Sequence, residues 1–97
     1  TTFSYLFYNN CMWYVYVIKH SETRELYIGQ TDDLERRLSE HNHGQQTATK
    51  RLSGTWYLIY SEQYRNKQDA VIRERRLKHH GRAKQELYRR IQFSLGS

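Results

Sequence analysis

The sequence predicts a small α/β domain of the α+β kind: a three-stranded antiparallel sheet flanked by helices, in the order β-β-α-β-α-α. Three observations predict it. Aromatic and β-branched runs recur three times, at 13–19, 26–30 and 55–62. Segments with apolar residues at helical spacing follow the second and third runs. The whole chain has 97 residues, enough for one core.

Each element has its own local justification. "WYVYVIK" reads as the first strand. The polar "HSETRE" turns the chain, and "LYIGQ" is the second strand of a hairpin. Thr31 or Asp32 is placed to cap a helix, and Asp32 with Glu35 resembles a capping box. That helix runs to about His43, where Gly44 ends it. "GQQTATKRLSG" is a polar, basic loop before the third strand, "TWYLIYSE". Asn66 caps a second helix with Asp69 in its first turn, and Gly81 breaks it. A last helix, about 82–92, packs through Ala83, Leu87 and Ile91 at i, i+4 and i+8. Residues 1–12 read as an extension, 13–92 as the domain and 93–97 as a tail.

Charge narrows the partners. Sixteen Lys and Arg against ten Asp and Glu give a net charge of +6. That excess favours an anionic partner, nucleic acid or a membrane surface. No apolar run approaches the roughly 20 residues of a membrane span. The basic residues do not sit on a strongly apolar amphipathic helix, so nucleic acid is the expected partner and a membrane is not. Cys11 is the single cysteine, which leaves no internal disulfide and fits a reducing cytoplasm. The first eleven residues lack the cationic start and apolar stretch of a signal peptide.

Several polar residues stand where apolar ones are usual. Counted from Leu34 at 100° per residue, Leu38 falls at about 40°, His41 at about 340° and Arg37 at about 300°. Arg36 falls at about 200°, on the opposite side. Arg37 can therefore point along the sheet, or its stem can simply cover apolar surface. Glu74 shares an inward stripe with Ala70 and Leu77. A buried carboxylate needs a cation, either a metal ion or a nearby arginine. Tyr16 and Tyr27 lie on adjacent strands and can meet on one face, as a packing pair or as chemistry. Gly29 leaves that face bare for a close approach.

Together these pieces resemble the GIY-YIG nuclease domain, over about Trp13 to Tyr88. The second half of the motif stands intact as Tyr27-Ile28-Gly29, and Tyr14-Val15-Tyr16 occupies the first half. Arg37 lies ten residues after the second motif tyrosine, where the family has its catalytic arginine. His41 matches a histidine that part of the family carries one helical turn later. Glu74, on the helix after the third strand, matches the metal-binding glutamate. The ending "ERRLKHHGRAKQEL" looks like the short stand-alone bacterial members, which are similar to the N-terminal domain of the excision-repair excinuclease. Tyr14 stands at a motif glycine, Gln30 where some relatives have lysine, and no asparagine follows Asn66.

The resemblance implies a metal-dependent endonuclease acting on DNA, selective for structure rather than sequence, in repair or recombination. The alternative is a nucleic-acid-binding module of the same fold with weak or absent cleavage. Tyr16 or Tyr27 would be the general base, Arg37 the phosphate clamp, and His41 a proton relay or phosphate donor. Glu74 would hold one Mg2+ or Mn2+. Lys50, Arg51, Arg73, Arg76, Lys78, Arg82 and Lys84 would contact the DNA backbone, duplex, branched or damaged. The expected setting is the bacterial cytoplasm, on the nucleoid when DNA is bound, with a protein partner for targeting.

Overall fold

The computed structural model describes residues 12–44 and 53–96. The expected extension up to Cys11 and the basic pair Lys50 and Arg51 lie outside the described residues. The element order is β1 (Trp13–His20), β2 (Leu26–Thr31), α1 (Leu34–Asn42), β3 (Trp56–Tyr64), α2 (Lys67–His79), α3 (Gly81–Arg90) and α4 (Gln92–Leu95). The three strands form an antiparallel sheet in the order β2-β1-β3. The fold is therefore the α+β arrangement that the strand and helix patterns predict.

β1 runs through the centre of the sheet, and its alternation sorts the core into two layers. Val15 and Val17 point to one face, where Ile28, Ala70, Leu77, Leu87 and Ile91 pack against them. The α2, α3 and α4 segments cover that face. Tyr16 and Ile18 point to the other face, with Trp56, Tyr27 and the α1 residues Leu34 and Leu38. Lys19 is buried on the first face, and its ammonium donates to the carbonyl of Leu95. That carbonyl lies at the end of α4, where the helix leaves acceptors unsatisfied. Within the segment expected as tail, Leu95 packs against the helix-covered core while Phe93 is exposed.

Several boundaries move, each for a physical reason. β2 extends to Thr31 because Thr31 pairs with Tyr14. The helix start shifts accordingly. Asp33, rather than Thr31 or Asp32, is the N-cap and accepts from the Arg36 amide at 3.0 Å. Thr31 Oγ1 instead accepts from the Asp33 amide at 3.1 Å, which turns the chain out of the strand. β3 begins and ends later than expected, because Gln63 and Tyr64 pair with Tyr14 and Trp13. The break after α2 falls at His80, whose backbone is extended, while Gly81 is the first residue of α3. The expected single last helix is interrupted at Ile91. Asn66 caps α2 as expected, accepting from the Gln68 amide at 2.8 Å.

A bulge in the β1–β3 pairing falls between Val17 and Ile18. Val17 stands opposite Tyr60, but Ile18 stands opposite Leu58. The extra residue lets Tyr60 and Ile59 both pack with the helix-covered face. It also brings Leu58 to the α1 face, beside Ile18.

Candidate active site

The hairpin register places Tyr16 opposite Gly29, and Ile18 opposite Tyr27. Directly opposed residues share a face, so both tyrosines stand on the α1 side of the sheet. Their ring centroids are 6.4 Å apart. Gly29 is required for this. A Cβ at that position would overlap the Tyr16 phenol, coming within 2.6 Å of Cζ. The glycine thus opens the space in which the phenol lies across β2.

The first helix supplies the other groups. Its far end is fixed by Asn42, whose amide donates to the Trp56 carbonyl at 3.0 Å and accepts from the Trp56 amide at 2.6 Å. This pair of bonds mimics a strand partner and ties α1 to the start of β3. Sequence reasoning passed over Asn42 and Trp56. The available signal was an amide side chain in the last turn of a helix, next to His41.

With α1 so held, His41 is 2% exposed, and its Nε2 lies 2.8 Å from the Tyr16 hydroxyl. The imidazole also meets the Tyr27 ring edge-on at 4.9 Å. Burial, and then the nearby Arg37 cation, push His41 down to about 4. It is neutral at pH 7. Burial pushes the Tyr16 phenol up to about 12, against the opposing pull of a hydrogen bond from Arg37. Tyr16 therefore keeps its proton at neutral pH, and a neutral imidazole can accept from it at Nε2.

Arg36 and Arg37 divide as the helical wheel predicts. The Arg36 side chain is 55% exposed and the Arg37 side chain 28%. Arg36 pairs with Asp32 at 2.8 Å on the outer side. Arg37 pairs with Glu40 at 2.8 Å and reaches the Tyr16 phenol. The pairing with Glu40 holds the guanidinium beside the tyrosine face without covering it.

Glu74 stands on α2, with its side chain 22% exposed. It is half-buried between Ala70 and Leu77, as the stripe implied. Its ion pair among the described residues is with Lys78, at 3.8 Å, not with an arginine. The Lys78 ammonium also lies 5.2 Å from the centre of the Tyr27 ring. Lys78 thus links the glutamate to the tyrosine face, a contact that sequence reasoning assigned to DNA instead.

The other expected DNA contacts separate. Arg76, Lys78 and Arg82 are exposed on α2 and α3, and Lys84 is half-buried. Arg73 is not a free surface cation. Its guanidinium binds Glu62 at 2.6 Å. Glu62 also accepts from the hydroxyls of Tyr60 and Tyr64. Those three donors hold the Glu62 carboxyl below its usual range despite burial. The half-buried carboxylate paired with an arginine is thus Glu62, and nothing in a short sequence window marks it.

Glu74 would offer a divalent ion one carboxylate. Among the described residues, no three His, Cys, Asp or Glu side chains cluster. Mg2+ commonly keeps several waters and takes one or two carboxylates with substrate phosphate. A single half-exposed carboxylate suits that habit. Gln30, where some relatives have lysine, has a buried Oε1 with no hydrogen-bond partner. No helix of the described residues is long and apolar enough to cross a membrane.

Comparisons with known proteins identify the family of the fold. The family model of the GIY-YIG catalytic domain matches residues 12–90. UPF0213 proteins from several Staphylococcus aureus strains, Mu3 and N315 among them, are 34% identical over 71 residues. Those matches cover 73% of this chain and 85% of the relative. The solution NMR structure of a UPF0213 protein from Bacillus halodurans is similar in fold. Its TM-score is 0.51 at 25% identity, covering 89% of this chain and 94% of that one. The chain belongs to the GIY-YIG catalytic domain family, a family of endonucleases.

Proposed function

We propose that this protein is an endonuclease that hydrolyses DNA phosphodiester bonds with one Mg2+ or Mn2+, choosing DNA by structure rather than sequence, in repair or recombination. The observation that carries the reading is the hydrogen-bonded array Arg37–Tyr16–His41, with Tyr27 on the same sheet face. Hydrolysis needs a proton acceptor for the attacking water and a cation against the charge that develops on phosphorus. Arg37 supplies the cation, in a planar fork that suits phosphate oxygens.

The acceptor is the phenol–imidazole pair. Tyr16 holds its own proton, so it can take one from water only while passing its own to His41 Nε2, 2.8 Å away. Arg37 stabilises the negative charge that the phenol oxygen gains during that exchange. The Tyr27 ring packs edge-on against His41 and orients it. A bound Mg2+ or Mn2+ would add positive charge at the phosphate, and Glu74 with waters would hold it.

Exposed Arg76, Lys78 and Arg82 extend a basic surface along α2 and α3, consistent with sequence-blind contacts to phosphates. A second reading has one observation in its favour. A phenol held at about 12 is rarely ionised at neutral pH, as suits a binding module with weak cleavage. One experiment separates the two. Plasmid, branched and single-stranded DNA are incubated with Mg2+, Mn2+ or EDTA, beside the Arg37→Ala variant. Nicking that needs the metal and Arg37 supports the nuclease. DNA binding without nicking in any metal selects the binding module.

A further inference from the structure

Beside the array lies a cavity of about 250 Å3 that the chemistry above does not use. Among the described residues, its walls are Ile18, Leu34, Leu38, Leu58 and the ring of Tyr16. Arg37 stands at its rim, as does Glu35. Leu58 is 41% exposed, so the cavity opens outward along the β3 side. An exposed leucine next to three further aliphatic side chains is an unusual lining beside a polar site.

The occupant can be argued from size, polarity and charge. The volume falls below the range of about 300–1,000 Å3 common for drug-sized ligands, so it suits one planar ring system. Phosphate is excluded from the interior because, among the described residues, Arg37 is the sole cation of the lining and aliphatic walls offer no donors. A metal ion does not suit the interior, because its aliphatic walls carry no oxygen donors and Glu35 stands at the rim. A nucleotide meets both halves of the site: its phosphate at Arg37, and its base against the leucines, over a floor formed with the buried Tyr16 ring. Bases taken out of a duplex are commonly held between aromatic and apolar side chains. The net charge of +6 favours the polyanion that carries them.

We infer that this cavity takes a single unstacked nucleobase next to the phosphate bound by Arg37, which makes DNA with an unpaired nucleotide the substrate class. The inference rests on the nuclease reading only for the identity of the polymer. Aliphatic walls accept any base by apolar packing and exclusion of water, so the selection is for an unpaired state, not for a letter. Extrusion costs least where the base has no partner. That gives the structure selectivity a physical source inside a domain with little surface to spare.

The test is a binding experiment in EDTA, where cleavage cannot intervene. Three labelled duplexes are compared by anisotropy: fully matched, with one unpaired adenine, and with an abasic residue at the same bulge. The wild type is expected to bind the adenine bulge at least fivefold more tightly than either of the others. The abasic duplex shares the bend and flexibility, so the difference reads the base alone. Leu58→Trp fills the cavity from an exposed position and should bring the ratio of bulged to abasic affinity to about one. Reading a ratio cancels any uniform loss of affinity. Equal binding of adenine-bulged and abasic duplexes by the wild type overturns the inference, whatever the variant does. A preference that survives Leu58→Trp also overturns it. Metal-dependent nicking of plasmid without a bulge preference would leave the nuclease reading intact and sink this one. A bulge preference without nicking would do the reverse.

Discussion

Removing the buried imidazole with His41→Gln should flatten the acid side of the protein's stability. The magnitude follows from the site. Burial and the Arg37 cation hold His41 at about 4 in the folded state, against 6.5 for an ordinary histidine. Above pH 6.5 both folded and unfolded chains hold a neutral imidazole, and His41 contributes no slope. Between 6.5 and 4 the unfolded chain binds a proton that the folded chain refuses. Stability must therefore fall as pH falls through that window. At 1.36 kcal/mol per unit, the loss reaches about 2 kcal/mol at pH 5 and about 3 kcal/mol at pH 4.

The assay is urea unfolding of wild type and His41→Gln at pH 7 and pH 5. The variant will be less stable at pH 7, since it vacates a packed position between Tyr16, Tyr27 and Trp56. The informative quantity is the change from pH 7 to pH 5 within each protein. Glu62 does not confuse this window, because its donors keep it ionised to below the usual carboxylate range. The wild type should lose about 2 kcal/mol more than the variant. Equal losses would refute the reasoning, as would an NMR titration of the His41 ring with a midpoint near 6.5. Either result would mean that the imidazole is hydrated rather than held dry within the fold.

Arg37→Ala should lower the nicking rate by on the order of 100-fold or more, while Arg36→Ala, on the outer side, should stay near wild type in single-turnover assays. Gly29→Ala should lower thermal stability by about 1–3 kcal/mol through its overlap with the Tyr16 ring, and should reduce nicking as the phenol leaves His41. Wild-type stability in that variant would mean that Tyr16 has room to move. Glu74→Gln should abolish metal-dependent nicking and change stability by less than about 0.5 kcal/mol, since its pairing with Lys78 is long and partly solvated. Glu62→Gln should do the opposite, sparing the chemistry and lowering stability by about 2 kcal/mol. That is less than the roughly 3–5 kcal/mol of a fully buried broken pair, because Arg73 keeps some water. Melts and nicking assays on the two variants read both outcomes.

The fold was legible wherever a local pattern determines it. Aromatic and β-branched runs marked the strands, and the spacing of Ala70 and Leu77, or of Leu87 and Ile91, marked helices that cover one sheet face. The helical wheel separated Arg37 from Arg36 because a helix fixes side-chain direction within two turns. Contacts between distant segments were not legible. The cap moved to Asp33 because Thr31 was drawn into pairing with Tyr14, a residue 17 positions away. The apolar cavity depended on the bulge opposite Val17 and Ile18. A one-residue slip exchanges the faces of a strand, and no propensity predicts where the slip falls. Asn42 was missed for the same reason, since its partner Trp56 lies 14 positions away.

The two glutamates, Glu62 and Glu74, make the division between stability and chemistry concrete. Glu62 sits among an arginine and two tyrosine hydroxyls, so its lone pairs are occupied and its charge is neutralised within the fold. Such a carboxylate has nothing left to offer a ligand. Glu74 pairs, among the described residues, with Lys78 at 3.8 Å and keeps part of its surface in water. Its charge is only loosely balanced, and exchanging Lys78 for a divalent ion costs one weak contact. The released ammonium would still lie near the Tyr27 ring. Burial alone would have favoured Glu62 as the exceptional residue. Availability of lone pairs favours Glu74, and for a carboxylate that must bind and release a cation, availability is the property that counts.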